Sequence, residues 1–443
     1  MKSLLFAKNA SLVLTRLVVG AVSALLISSF LARTLGPEQN GVYALVILCP
    51  LLAVAIGGLG VGPASVYLIS RGRFGIPEVV AKNIIISLVT AGIVALICLS
   101  IVLFYGQKWF PNVPLPLLVI ALLMTFPLMM FGNLAAIYQG MQNFSLHSVY
   151  TLLPQVITTV LLVFCFWLFE DKLTVAVLSW GLGYVLALGA IIYRFRDEIT
   201  SYKRSSKVRS QYLSESLKYG LKAHIGNLIT FLNYRIDVYL LGALAGTYAV
   251  GIYAVTVPIT EAIWLVSNAA SAVLFPLVAK LQENNTSNNV TPLICRWVLL
   301  ATVLAALLVV VASDLVIRLF FGSAFAESGR VLLWLLPGVV LWAIARVLCN
   351  DIAGRGRPEI NLFISLGALA VNIIANLVLI PKFGVNGAAI ASSISYSLLT
   401  VTVVLVYSRL LHVKLSKLLF PSWDDLLIIK SIWGGIVSKA GQS

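Results

Sequence analysis

The chain is 443 residues long, with 60% hydrophobic and only 11% charged residues and a mean hydropathy of +1.00. Soluble domains run at about 45–50% apolar and about 25% charged, so a soluble single-core enzyme is excluded, and the same apolar excess excludes disorder. The net charge of +15 would raise nucleic acid in a soluble protein; here it reads as the basic bias of membrane-protein loops, and no nucleic-acid partner is expected.

In chain order, apolar runs recur near residues 10–32, 42–69, 83–105, 115–138, 148–169, 173–193, 219–242, 247–278, 293–313, 330–350, 360–380 and 384–408. A membrane-spanning helix needs roughly 17–25 mostly apolar residues, so these predict twelve spans in the lipid bilayer. The first run is too long for a signal h-region and is read as a span, with no cleaved leader expected. The runs 42–69 and 247–278 are longer than a bilayer requires and must tilt or project, with Pro63 and Pro258 as expected kink points. Cys49, Cys98, Cys165, Cys295 and Cys349 all lie in apolar stretches with no CxxC pair, so neither a disulfide framework nor a metal site is expected.

Counting Lys and Arg between spans sets the orientation. With the N-terminus in the cytoplasm, twenty of the 31 basic residues fall on the cytoplasmic side, six outside and five within or at the ends of spans. Both termini are therefore expected in the cytoplasm. The expected architecture is an all-α polytopic membrane protein of about twelve transmembrane helices. They form two six-helix lobes related by a pseudo-twofold axis along the membrane normal. The N-terminal lobe covers 1–193, a basic cytoplasmic linker 194–218, the C-terminal lobe 219–408 and a cytoplasmic interfacial tail 409–443. Within the tail, LHVKLSKLLF reads as a short amphipathic helix lying in the interface, and LLIIKSIWGGIV is too short to span.

The axis is argued from a repeat. Gly41-Val-Tyr-Ala after the first span matches Gly251-Ile-Tyr-Ala after the seventh at an offset of 210, and Gly140 matches Gly354 at 214. Each half has an even number of spans, so both enter the membrane the same way round, which makes the repeat parallel. Transporters built this way hold substrate between the lobes and rock one lobe against the other.

Three stretches carry a resemblance: ARTLGPEQNGVYAL (32–45); IDVYLLGALAGTYAVGIYAV (236–255) with VLFPLVAKL (273–281); and AGRGRP (353–358) with VNIIANLVLIPKFGVNGAAIASSISY (371–396). The chain resembles the polysaccharide-biosynthesis (Wzx-like) flippases of the MOP transporter superfamily over about residues 1–410. That resemblance implies a transporter rather than an enzyme. It implies export of an isoprenoid-pyrophosphate-linked oligosaccharide from the cytoplasmic to the outer leaflet of a bacterial inner membrane. It also implies glycan polymerase and chain-length proteins as candidate partners. A cation-coupled multidrug exporter of the same superfamily stays open, as does a membrane glycan polymerase or ligase, against which the lack of a large external loop argues.

Intramembrane charges mark the candidate site, because each costs about 2.5–3.5 kcal/mol on insertion scales. Arg16 lies on one helical face of the first span with Asn9, Gly20, Ser23 and Ile27, a small and polar face that suits a cavity wall. In the seventh span, Arg235 shares a face with His224, Asn227 and Phe231, while Lys222 near the cytoplasmic end is suited to snorkelling. Arg16, Arg235, Lys222 and Asn227 are the candidate pyrophosphate and glycan ligands, since the planar guanidinium fork donates paired hydrogen bonds to phosphate. Glu261, in a stripe with Leu265, Asn268 and Ala272, is a candidate coupling group, or else an ion-pair partner of Arg235, Arg16 or Arg346. Asp237 and His224 are further coupling candidates, with a structural role open for both. Asn372 and Asn376 suit interhelical hydrogen bonding, and GGLGVGPAS (57–65) suits close packing or flexing. Trp109, Trp167 and Trp334 suit an interfacial belt. No GxxxxGK[ST] motif occurs, so no nucleotide or other cofactor is expected, and ATP drive within the chain is unsupported.

Overall fold

The computed structural model describes residues 2–110, 112–205, 211–281 and 287–419, with side chains described over 11–106, 108–110, 112–202, 211–268, 270 and 291–419. The N-terminal lobe comprises α1 (Lys2–Gly57), α2 (Val61–Ser70), α3 (Ile76–Trp109), α4 (Leu115–Leu123), α5 (Thr125–Gly140), α6 (Phe144–Leu168) and α7 (Lys172–Arg194). A surface helix α8 (Arg196–Ser205) follows. The C-terminal lobe comprises α9 (Tyr212–Ala254), α10 (Thr256–Leu281), α11 (Ser287–Phe320), α12 (Glu327–Gly354), α13 (Pro358–Phe383) and α14 (Val385–Leu411), before a last short helix α15 (Leu415–Leu419). No strand occurs among the described residues.

Among the described residues, ten helical segments are long and apolar enough to cross a membrane. Two of them cannot be single passes. α1 has 56 residues and α9 has 43, or about 84 and 65 Å at the helical rise, against a hydrocarbon core of about 30 Å. Each folds back at a glycine of positive φ, Gly36 (φ 70°, ψ 174°) and Gly246 (φ 84°, ψ 178°), a conformation that a Cβ would strain. The outgoing and returning limbs, with α2 and α10 continuing the returning ones, give six passes in each lobe. The loops expected between the first and second spans, and between the seventh and eighth, are thus reduced to a glycine hinge.

The returning limbs place the repeat on the twofold axis. A Cβ on Gly41 would lie 1.8 Å from the Thr247 carbonyl oxygen, and one on Gly251 would lie 1.8 Å from the Pro37 carbonyl oxygen. Gly41 and Gly251 are 210 residues apart, as are Pro37 and Thr247 and the hinge glycines, so the contact is reciprocal. The two lobes meet backbone to backbone on the face where α1 and α9 turn, called here the hinge face. The other end of the bundle is the basic face.

Proline sets the breaks inside the long runs, though not at the proline. Pro63, Pro127 and Pro258 are each the third residue of a restarted helix, α2, α5 and α10. Proline lacks the N–H that would bond to the carbonyl four residues back, so the helix opens near Leu59, Leu123 and Ala254. The expected kinks at Pro63 and Pro258 are therefore corrected by a few residues towards the N-terminus.

α9 is shared between the lobes. Tyr212, fully buried, sits in the N-terminal lobe with Val61, Leu68, Val79, Leu134 and Phe195. Its hydroxyl donates to Asn83 Oδ1 at 2.8 Å and bonds Ser65 Oγ at 2.9 Å. Arg73 pairs with Glu215 at 2.7 Å, and Tyr67 stacks on Tyr219 at 4.2 Å. Gly60 (φ 69°) lets the α2 entry touch the Gly220 backbone, where a Cβ would meet the oxygen at 2.1 Å. The glycine run 57–65 therefore serves close packing.

Of the expected tail helix, α15 spans five described residues; Leu418 is fully buried in the main core with Cys295 and Val298 of α11, while Leu415, Ser416 and Lys417 are exposed. LLIIKSIWGGIV lies outside the described residues. Trp109, Trp167 and Trp334 are all exposed. Asn376 donates to the Asn372 carbonyl and side chain at 2.8 and 2.7 Å, so these two bond within one helix rather than between helices.

Candidate functional site

Three hollows lie along the seam between the lobes. A vestibule of about 930 Å³ opens towards the basic face. Its wall includes Tyr67, Asn133, Gln139, His147, Tyr219, His224, Asn227 and Phe231, with no Asp, Glu, Lys or Arg among the described lining residues. A middle chamber of about 440 Å³ lies between α1 and α6 of one lobe and α9, α10 and α12 of the other, lined by Arg16, Gly20, Thr151, Gln155, Tyr234, Glu261, Trp264, Asn268 and Arg346. A hollow of about 350 Å³ nearer the hinge face is lined by Asn40, Tyr43, Gln155, Trp180, Tyr184 and Arg235.

Helical spacing explains which groups meet. Arg16, Gly20 and Ala24 are four apart on α1 and face the middle chamber, with Gly20 leaving room against Leu152 and Gln155 of α6. Arg16 Nη1 bonds His147 Nε2 at 3.1 Å. Glu261, Leu265 and Asn268 line the same chamber from α10. The sequence left three arginines open as partners for Glu261; it pairs with Arg235, Nη2 to Oε1 at 2.9 Å, with the two side chains 29% and 46% exposed.

Arg346 is held by several groups at once. Its Nη2 donates to the Tyr234 hydroxyl at 2.6 Å and its Nη1 to Asn268 Oδ1. Its guanidinium lies 5.1 Å from the centre of the Trp264 ring, a cation–π contact. Trp342 Nε1 also donates to the Tyr234 hydroxyl, at 2.9 Å, and Tyr234, Trp264, Trp342 and Tyr396 form one aromatic cluster with ring centres 5.0–6.5 Å apart. One face of the arginine is thus held by aromatic rings while the other looks into the chamber. Lysine could not reproduce this planar fork.

The remaining expected residues are placed as follows. His224 and Asn227 line the vestibule, and His224 Nε2 bonds the Ile56 carbonyl at 2.9 Å, its ring donating. Lys222 is exposed and lines none of these hollows. Asp237 lines none of these three; it borders a small adjoining hollow of about 30 Å³ with Arg235, Glu261, Tyr234 and Trp264. It is 1% exposed and accepts from Ser392 Oγ at 2.9 Å, from the Tyr253 hydroxyl and from the Val238 N–H at 2.8 Å. Ala272 and Asn9 have side chains outside the described residues. Arg346, His147, Tyr234 and Trp264 were not singled out as ligands in the sequence. Arg346 carried the same signal as Arg16, a charge within a span. His147 fell one residue short of a predicted span, and the aromatic cluster joins four helices that sequence alone does not bring together.

Residues 6–282 match the family described as polysaccharide biosynthesis protein. The chain is 25% identical over 230 residues to the "Probable low-salt glycan biosynthesis flippase Agl15" of Haloferax volcanii, a match covering 51% of this chain but only 45% of that protein. It is 23% identical over 409 residues to the "Putative O-antigen transporter" of Shigella flexneri, covering 87% of this chain and 93% of that one. Among solved structures it resembles the lipid II flippase MurJ in an inward closed conformation, with TM-score 0.69, 14% identity and coverage of 95% and 92%. It also resembles an inward-facing MATE multidrug resistance transporter of the MOP superfamily, with TM-score 0.68, 17% identity and coverage of 89% and 95%. At these identities the structural likenesses concern the fold: two lobes of transmembrane helices about a central seam. The family match extends over more than half of the sequence, and on that ground this multi-pass membrane protein belongs to the polysaccharide biosynthesis protein family.

Proposed function

We propose that the chain is a flippase that carries an isoprenoid-pyrophosphate-linked oligosaccharide from the cytoplasmic to the outer leaflet of a bacterial inner membrane by alternating access, both its termini being cytoplasmic. The observation that carries this reading is the charge at the seam: Arg16, Arg235 and Arg346 line the middle chamber and the hollow nearer the hinge face, where Glu261 is the one carboxylate among the described lining residues. A pyrophosphate diester bears two negative charges, the complement of that excess. Stripping such a head of water in bare hydrocarbon is prohibitive, whereas guanidinium forks replace its hydration with charge-assisted hydrogen bonds. The names of the relatives, a glycan flippase and an O-antigen transporter, support the same substrate class.

The sugars enter the uncharged vestibule, where Tyr67, Tyr219 and Phe231 offer apolar ring faces and Asn133, Gln139 and Asn227 offer hydrogen bonds. The pyrophosphate advances to Arg16 and Arg346, the isoprenoid remains in lipid, and separation of the Gly41–Gly251 contact releases the head on the hinge face. Glu261 competes with phosphate for Arg235, so its protonation favours loading. Asp237, 1% exposed and held by three donors, keeps a structural role beside that exchange. The test is surface glycan in cells whose only copy carries Arg16→Ala or Arg235→Ala. Loss of glycan at normal protein level and membrane insertion is expected; full output from both overturns the reading. Deletion should accumulate lipid-linked units on the inner leaflet, whereas accumulation on the outer leaflet would indicate a polymerase or ligase. Strong efflux of cationic dyes with no glycan defect would indicate a drug exporter.

A further inference from the structure

His147 sits in the wall between vestibule and middle chamber, and its two ring nitrogens face partners of opposite kind. Nδ1 lies 3.2 Å from the Ala135 carbonyl oxygen, which can only accept. Nε2 lies 3.1 Å from Arg16 Nη1, which can only donate. The ring therefore carries its hydrogen on Nδ1 and offers a lone pair at Nε2, the neutral tautomer. The repeat supports that assignment. At the offset of 214 that relates Gly140 to Gly354, Ala135 corresponds to Cys349 and His147 to Asn361. Asn361 Nδ2, which can only donate, bonds the Cys349 carbonyl at 2.7 Å. The twin lobe thus keeps the anchoring bond without a titratable ring. The counterpart of Arg16, at an offset of 210, is Gly226.

We propose that His147 is a proton-linked positioning residue: neutral, it parks Arg16 at the chamber wall, and it takes up one proton when an anionic head group claims Arg16. A phosphate oxygen that accepts from Arg16 Nη1 leaves Nε2 without a donor and beside new negative charge. Nε2 then gains a proton from vestibule water and, as imidazolium, donates to the same phosphate. On release of the head group the imidazolium is left beside an uncompensated guanidinium and returns the proton. By linkage, a site that gains a proton on binding binds more tightly as pH falls through the imidazole range. This rests on the flippase reading above.

The surroundings favour this exchange. From α1 the group facing the ring is Arg16. α5 contributes the Ala135 carbonyl and, along the vestibule wall, Asn133 and Gln139. Across the vestibule lie Tyr67 of α2 and Tyr219 and His224 of α9. No carboxylate lines the vestibule among the described residues, and Glu261 on the far side of the middle chamber is engaged by Arg235. The arriving phosphate is thus the anion that draws the proton to His147.

The test uses the purified full chain and farnesyl diphosphoglucose, a pyrophosphate diester with no group that titrates near neutrality. Calorimetry in two buffers of different ionisation enthalpy counts the protons taken up on binding. The wild type should take up a fraction of a proton near neutral pH and bind up to about tenfold more tightly on acidification, the effect of a shift of about one pKa unit. His147→Gln, which keeps a donor and an acceptor, should bind without proton uptake. The chain has 3 histidines, so the His147 ring signal can be followed by NMR in the wild type itself, and its titration should move up by about one unit when the probe saturates the site. Binding with no proton uptake and an unmoved His147 titration overturns this proposal and leaves the flippase reading intact. A wild type that binds no probe at any pH removes both.

Discussion

Adding one methyl group at Gly41 tests whether backbone contact holds the lobes together on the hinge face. In Gly41→Ala the new Cβ would stand 1.8 Å from the Thr247 carbonyl oxygen and 2.8 Å from the Gly251 nitrogen. Carbon–oxygen contacts in proteins settle near 3.3–3.6 Å (about 3.4 Å), so the crossing must open by roughly 1.5 Å. What it meets is backbone, which cannot yield by changing rotamer. Overpacking of this order costs typically about 1–3 kcal/mol, or a factor of roughly 5–150 in the balance between closed and open seams. Gly251→Ala would strike the Pro37 carbonyl at the same distance and should act alike. Asn40, 5% exposed and bonded to the Gly251 carbonyl at 3.4 Å, is the reporter position. In a background with the five natural cysteines replaced, Asn40→Cys should react with a membrane-impermeant maleimide at least about fivefold faster when Gly41→Ala is added. Gly189→Ala, where no atom lies within 4 Å of the added Cβ, should leave the rate unchanged. Equal labelling rates and equal thermal midpoints for Gly41→Ala, Gly251→Ala and the parent would refute the reasoning.

Arg33 reaches across the seam to the last carbonyls of α11, Arg318 at 3.3 Å and Phe320 at 2.9 Å. A cation there also suits the helix dipole, so Arg33→Ala should cost about 1 kcal/mol of closed state and speed labelling at Asn40→Cys severalfold. Asp237→Asn puts an amide donor where Tyr253, Ser392 and the Val238 N–H all donate. It should destabilise by about 1–3 kcal/mol in thermal melts, while glycan output per folded molecule stays near wild type. Asp171 caps α7, accepting from the Thr174 N–H at 3.1 Å. The Thr174 hydroxyl and N–H hold its carboxyl below the usual carboxylate range, so its stabilisation is present above the unfolded value of about 3.9 and fades as pH falls through the folded one. Asp171→Ala should lower stability by about 1 kcal/mol at neutral pH, a deficit that Asp171→Asn largely restores and that shrinks in strong acid.

Hydropathy, loop charge and the two glycine-tyrosine repeats determined, from sequence alone, that this is a helical membrane protein with twin lobes. Those properties depend on the solvent and on local spacing, both of which are written along the chain. The same reasoning marked Arg16, Arg235 and Glu261, because any charge in hydrocarbon needs a partner or a cavity wherever its neighbours lie. It could not choose among three partners for Glu261, or separate Asp237, held by hydroxyls from two other segments, from Glu261, which faces the chamber. It also passed over His147 and the aromatic cradle of Arg346. Those assignments were decided by tertiary packing, since each joins separate helical segments, from 26 residues apart for Arg235 and Glu261 to 155 for Asp237 and Ser392. Helical periodicity fixes which side chains share a face, and only the packing of one helix against another decides what that face meets.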